Sequence, residues 1–264
     1  MDLGLDDRIA VVTGAGRGIG LATTRALADE GAIVVAGSRS ITPELRELAV
    51  GGRVHPVEVD LSTAHGPEEL VARADDLGGL DVLVNNVGAV HLRTDGFLAV
   101  TDDEWRATLE LDFLAAVRAI RAAVPRMQRR GAGTVVTIAS VNAYLPDPGV
   151  IDYSAAKAAL WNVSKSLSKE FGPSGIRFNT VSPGPVATDL WLGEHGVAET
   201  IARATGTDVD TARENAVAAQ GGFSTGRFTP PSEVADLVLI LAGARAGNVT
   251  GADFMIDGGL VKTL

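Results

Sequence analysis

The sequence predicts an α/β fold: one doubly wound domain over residues 1–264, with a seven-stranded parallel sheet flanked by helices on both faces. Three observations carry that expectation. Short β-rich runs alternate with helix-length segments along the whole chain, which reads as successive βαβ units. The strand runs are continuously apolar rather than alternating, as expected of strands covered on both faces. No internal repeat and no linker divides the chain, so a single domain is expected.

In order, the first strand is Ile9–Thr13, which runs into a glycine-rich turn and a helix over Gly18–Glu30. Strands over Ile33–Ala36 and Arg53–Val59 follow, then a helix over Pro67–Leu77. The strand Val82–Asn85 leads to a long helix over Asp102–Arg129, and Thr134–Ala139 leads to a helix over Tyr153–Phe171. The strand Arg177–Val181, a helix over Pro231–Ala242 and the strand Asp253–Ile256 complete the pattern. Ligands of open parallel sheets bind beyond the carboxyl ends of the strands. Thr13-Gly14, Gly37-Ser38-Arg39, Asp60-Leu61, Asn86-Val87-Gly88, Ser140 and Pro183-Gly184 should therefore form one rim.

Composition narrows the function. A chain of 264 residues with no cysteine has no disulfide framework, thiolate nucleophile or cysteine zinc site. A net charge of −10 argues against nucleic acid and anionic membranes as partners. The acidic start lacks a secretory signal, and the most apolar stretch, Val234 to Ala244, is too short to span a bilayer, so a cytoplasmic protein is expected. His55, His65, His91 and His195 show no metal-ligand spacing and read as surface or loop residues.

The turn Thr13-Gly14-Ala15-Gly16-Arg17-Gly18-Ile19-Gly20 sits between strand one and its helix. Glycines there allow a tight turn and close approach to a pyrophosphate at the helix N-terminus. Further along stand Asn85-Asn86-Val87-Gly88, Ser140, Tyr153 with Lys157 four residues on, and Pro183-Gly184 with Thr188. Together, in this order and over nearly the whole chain, these resemble the short-chain dehydrogenase/reductase family. The resemblance implies a Rossmann-type domain, a nicotinamide dinucleotide and reversible hydride transfer to a carbonyl carbon.

In that family Gly14, Gly16, Arg17, Gly18 and Ile19 would face the dinucleotide. Asp60 resembles the residue that bonds the adenine amino group, with Leu61 packing beside it; a helix-capping role for Asp60 is an open alternative. Asn86 and Gly88 resemble the segment against the cofactor and adenine ribose. Pro183, Gly184, Val186 and Thr188 resemble the segment that cups the nicotinamide. After strand two there is no acid to bond a ribose 2′-hydroxyl. Ser38 and Arg39, with Arg17 nearby, suit a 2′-phosphate instead, so NADP(H) is preferred over NAD(H).

Tyr153 and Lys157 share one helix face. Tyr153 is assigned as general acid/base, and Lys157 as its electrostatic tuner and a ribose ligand. Ser140 is assigned as donor to the carbonyl oxygen. The lysine ammonium is expected to lower the phenol pKa. One position departs from the family: Asp112 stands where asparagine is usual, where its charge either draws Lys157 away from the tyrosine or acts as a neutral swap in a proton wire. Substrate-pocket candidates are Val141, Asn142, Leu145, Val150, Pro185 and Trp191, mostly apolar, which suits a small-molecule carbonyl or alcohol with an aliphatic, alicyclic or aromatic body.

Two rival readings remain. One is a 3-oxoacyl-[acyl-carrier-protein] reductase, with Arg126, Arg129 and Arg130 for the carrier but Ser174 where a further arginine is typical. The other is a catalytically weak NADP(H) sensor. The segment 189–226 is longer than in carrier-protein reductases and, following directly on Thr188, is expected to form a lid over the substrate, closed by Trp191 and Phe223. Relatives are commonly tetramers, and Phe113, Leu114, Val117, Leu160 and Val163, with the apolar end Phe254–Leu264, offer faces for a homotetramer.

Overall fold

The apolar runs build the interior of a seven-stranded, all-parallel sheet in the order β3-β2-β1-β4-β5-β6-β7. In the computed structural model, which describes residues 2–194, 196–219 and 221–263, the strands are β1 (Ile9–Thr13), β2 (Ile33–Ser38), β3 (Val54–Glu58), β4 (Val82–Asn85), β5 (Gly133–Ile138), β6 (Ile176–Pro183) and β7 (Asp253–Ile256). Along β1, Ala10 and Val12 enter one core and Ile9 and Val11 the other, so a continuous apolar run serves both faces. His195 and Leu264, both invoked above, lie outside the described residues.

On one face pack α1 (Gly18–Asp29) and the last helix, with Leu27, Val234 and Val238 buried. α2 (Pro43–Ala49) was not anticipated. Its start carries a sequence signal: the Thr42 hydroxyl accepts from the Leu45 N–H at 3.3 Å, and Pro43 opens the first turn. On the other face α3 (Gly66–Ala72) ends five residues before the expected Leu77, and a separate 3₁₀ turn covers Asp75–Leu77.

The expected continuous helix 102–129 is divided. α4 (Asp102–Leu109), opened by a Thr101–Glu104 capping box, passes through a π turn at Glu110–Leu114 into α5 (Ala115–Arg130). α6 (Ile151–Phe171) begins two residues before Tyr153. The long segment after β6 holds α7 (Asp189–Leu192), α8 (Val197–Thr205) and α9 (Val209–Ala219), before α10 (Pro231–Ala242) returns to the sheet. Leu160, offered above to a subunit interface, is 2% exposed and belongs to the chain's own core. Among the described residues no helix is long and apolar enough to cross a membrane.

The strand order reverses between β1 and β4, the switch point where such sheets bind ligands. Register aligns the carboxyl ends: Thr13 lies beside Gly37, Asn85 beside Thr137 and Ile138 beside Val181. The rim expected from sequence therefore forms one continuous edge.

Candidate active site

The glycine turn is folded onto its neighbours. Thr13 Oγ1 accepts from the Asn86 and Val87 N–H groups at 2.8 and 3.0 Å. The Asn86 side-chain amide donates to the carbonyls of Thr13 and Gly14 at 2.9 and 3.1 Å. Asn86, a candidate cofactor contact, thus spends both amide hydrogens holding the loop from below. A Cβ on Gly20 would lie 2.1 Å from the Gly14 carbonyl oxygen, and one on Gly16 would lie 2.3 Å from Ser38 Oγ. At Gly20 the obstacle is backbone, so no larger residue fits there; at Gly16 the Ser38 hydroxyl would have to turn away. Thr42 adds a tie that the sequence reading missed, its hydroxyl donating to the Gly16 carbonyl at 2.9 Å.

This cradle fits a phosphate-bearing dinucleotide. No side chain caps the start of α1, so its first N–H groups stand open beside Gly16 and Gly18. Arg17 and Arg39 are exposed, and neither forms an ion pair among the described residues. A cavity of about 320 Å³, lined by Gly18, Arg25, Thr188, Asp189 and Pro231 among others, joins the loop to the segment after β6. There Gly184, Val186 and Thr188 follow Pro183 in order, and a bridge between Val186 and Thr229 fastens the segment. Leu61 is buried. Asp60 is exposed, and its Oδ1 accepts from the N–H and hydroxyl of Ser62 at 2.9 and 2.7 Å. These bonds close a turn and do not cap α3, whose N-cap is His65, and they hold the Asp60 carboxyl below the usual range.

Ser140, Tyr153 and Lys157 converge past the end of β5. The Tyr153 phenol is hydrogen-bonded to Ser140, whose Oγ also accepts from the Asn142 N–H at 3.1 Å. Lys157 is 3% exposed, donates to the Ile138 carbonyl at 3.0 Å and stands 5.5 Å from the Tyr153 ring centre. In the protein alone other influences set the phenol. Burial first, and the charge of Asp112 second, push the Tyr153 phenol up, while the Ser140 hydrogen bond opposes them. Lys157 is itself pushed down by burial.

Asp112 lies in the π turn, 1% exposed, with Oδ1 accepting from the Ala89 N–H at 3.1 Å. Burial raises its carboxyl to about 6 against the pull of Lys157 and the Ala89 N–H. Close by is an ion-pair cluster that sequence reading missed. Arg93 donates to Asp152, the residue before Tyr153, and to Glu104 at 2.7 Å, and Thr108 donates to Asp152 at 2.7 Å. Its members are far apart in sequence, and only the fold joins them.

Of the substrate-pocket candidates, Val141 and Val150 are 3% and 7% exposed and Pro185 is buried, so these three are packed into the walls rather than lining open space. Asn142 spends its side chain on Ser140 and the Leu145 carbonyl. Trp191 packs edge-on against Phe228, which also meets Phe223. His55, His65 and His91 are exposed.

A family model described as short chain dehydrogenase matches residues 8–195. The chain is similar in structure to an L-sorbose reductase from Gluconobacter frateurii complexed with NADPH and L-sorbose. The TM-score is 0.90 and the identity 34%, with all of both chains covered. By sequence it is 32% identical to a 2,3-dihydro-2,3-dihydroxybenzoate dehydrogenase of Bacillus subtilis, covering 97% of each. It is also 32% identical to a 3-oxoacyl-[acyl-carrier-protein] reductase of Thermotoga maritima, covering 97% of this chain and 99% of that one.

Proposed function

The chain belongs to the short-chain dehydrogenase family and is an oxidoreductase. We propose that it interconverts a ketone or aldehyde and the corresponding alcohol with NADP(H) in preference to NAD(H). The observation that carries this reading is the meeting of Ser140, Tyr153 and Lys157 beside the glycine cradle, past the carboxyl ends of the central strands. When bound, the dinucleotide supplies or takes up the hydride. Gly14, Gly16, Gly18 and Ile19 would line its pyrophosphate path, Asp60 and Leu61 would flank its adenine, Asn86 and Gly88 would lie against its adenine ribose, and Pro183, Gly184, Val186 and Thr188 would cup its nicotinamide.

Arg39, Ser38 and Arg17 give the NADP(H) preference its physical basis: two guanidinium groups with no ion pair among the described residues, and no acid after β2. The NADPH-complexed sorbose reductase supports the same choice. Ser140 donates to the substrate oxygen and Tyr153 carries the proton. Lys157 holds the ribose and biases the phenol. The segment 189–226 covers the substrate, and the chain assembles as a homotetramer.

The carrier-protein alternative is weaker. Arg126 is tied to Asp75 at 2.7 Å and Arg130 to Asp81 at 3.1 Å, which leaves few cations to meet an acidic carrier. The sensor alternative asks for a damaged Tyr/Lys pair, and both residues are present beside Ser140.

The test is a panel of carbonyl compounds with NADPH, read at the nicotinamide band, with Tyr153→Phe beside the native protein. We expect turnover on at least one ketone or aldehyde and a loss of roughly 10²–10⁴-fold in the variant, with NADPH affinity retained. Near-full turnover in Tyr153→Phe would sink the assignment.

A further inference from the structure

The chemistry above leaves one buried charge without a task. Asp112 Oδ1 takes the Ala89 N–H, but its Oδ2 has no hydrogen-bond partner. Asp112 and Lys157 both border the space beside the bare α-carbon of Gly88. A Cβ at Gly88 would come within 2.5 Å of Asp112 Oδ1 and 3.5 Å of Lys157 Nζ. The carboxylate and the ammonium thus face each other across a gap that no side chain fills, both almost wholly buried.

The other charged groups around them are engaged. From α6, Asp152 faces Asp112 but is held by Arg93 and Thr108, and Arg93 is shared with Glu104 of α4. Glu110, in the π turn itself, is bonded to Arg118 at 2.6 Å. Tyr153 meets the neutral hydroxyl of Ser140. Among the described residues Lys157 is the one cation opposed to Asp112, and Asp112 is the one charge that acts on the phenol.

We propose that Asp112 is a positioning residue that works through its charge: it answers the Lys157 ammonium and keeps Tyr153 a phenol, biasing the site toward reduction. The inference rests on the reading of Tyr153 as the proton carrier. In reduction a hydride from the dinucleotide forms the new C–H bond, the phenol O–H breaks, and its proton passes to the former carbonyl oxygen. Oxidation needs the phenolate, which accepts the alcohol proton as the hydride leaves. An unopposed ammonium beside the ring favours phenolate; a carboxylate facing that ammonium takes part of the advantage away. The directions agree: Asp112 pushes the phenol up, and at about 6 it is itself mostly ionised at neutral pH, so the charge is present there. An asparagine at this place, as is usual in the family, would carry no such charge.

The chain offers a clean measurement, because it has two tyrosines, Tyr144 and Tyr153. In a Tyr144→Phe background the ultraviolet absorbance of tyrosinate reports Tyr153 alone, in protein without dinucleotide. We expect Tyr153 to ionise above the ordinary phenol range, with circular dichroism showing that the protein is still folded there. Adding Asp112→Asn should bring the ionisation down by about one pH unit or more, tenfold in proton affinity. Asp112→Ser, which also removes the charge and keeps an oxygen for the Ala89 N–H, should do the same and serves if the asparagine variant folds poorly. Asp112→Glu should restore the native titration.

With substrate, Asp112→Asn should move both the alkaline fall of reduction and the rise of oxidation to lower pH by the same interval. Titrations and profiles unchanged by both neutral variants overturn the inference. If they are unchanged while Tyr153→Phe loses turnover, the inference fails and the proton-carrier reading stands. If Tyr153→Phe keeps turnover, that reading fails, and the bias toward reduction fails with it.

Discussion

A carboxyl with one oxygen on a single N–H and the other unpartnered, 1% exposed, costs the fold stability whenever it is ionised. The sign follows from its raised pKa. Between 3.8 and about 6 folded Asp112 binds more proton than unfolded Asp112, so its contribution worsens as pH rises through that window. The full difference is about 3 kcal/mol by pH 7.5. We therefore expect the stability of Asp112→Asn relative to the native protein to fall by about that amount between pH 7.5 and pH 4, followed by urea unfolding. Comparing the two across pH cancels any constant cost of the new amide. A pH-independent difference would show that the carboxyl is ionised in both states. At the opposite end of the groove Arg39 carries an equally local prediction. Because its guanidinium has no internal ion pair, Arg39→Ala should weaken NADPH about ten- to a hundredfold, the range for hydrogen bonds to charged groups, and barely touch NADH. Equal losses for both cofactors would show that Arg39 does not meet the 2′-phosphate.

At the scale of elements, the parts legible in the sequence are those whose signal is local. Apolar runs gave all seven strands to within a few residues, and the Gly14–Gly20 turn and the Tyr153/Lys157 pair are short motifs on single elements. What was not legible depends on contacts between distant segments. Nothing local marks a π turn at Glu110–Leu114: Asp112 stands out in the sequence only through the family resemblance, and its bond to Ala89 and its place beside Lys157 appear only in the fold. Position after a strand does not distinguish a lining residue from a wall residue, and how deeply Val141 and Val150 are packed appears only in the fold. The Arg93–Asp152 pair, 59 residues apart in sequence, is of the same kind, and it clamps the start of α6 to α4 and to the loop after β4. Since the Asp152 and Arg93 side chains are 2% and 10% exposed, Arg93→Met should strand a buried carboxylate and cost about 3–5 kcal/mol. Adding Asp152→Asn to it should recover part of that loss. A midpoint of denaturation that falls further in the double variant would mean the cost is lost packing rather than a stranded charge.

For the whole molecule, the open question is what the excursion from β6 to α10 does. Its two ends are drawn together where the Ala187 N–H donates to the Thr229 carbonyl at 2.9 Å, so residues 189–226 leave and re-enter the body at nearly one point. Within it α8 and α9 pack on each other and turn back at Gly206, in the left-handed region with φ +71°. Leu190, Leu192 and Val209 are each more than two-fifths exposed, apolar surface that a closing lid can bury. Trp191 and Phe223 each pack edge-on against Phe228, just before the re-entry point, so the aromatic cluster anchors the base of the excursion. Lys262 secures that base from the C-terminal side, donating to the Gly222 carbonyl at 3.0 Å. An excursion anchored at its base and self-packed at its tip can be shortened without opening the sheet. Deleting Glu199–Ala218 should therefore leave the thermal midpoint and NADPH affinity nearly unchanged, while the Michaelis constant for the best carbonyl substrate rises or turnover falls. Cofactor affinity reports the body and the Michaelis constant reports the cover, so the two readouts separate a lid from a surface decoration. Unaltered kinetics in a folded deletion variant would reduce the segment to decoration.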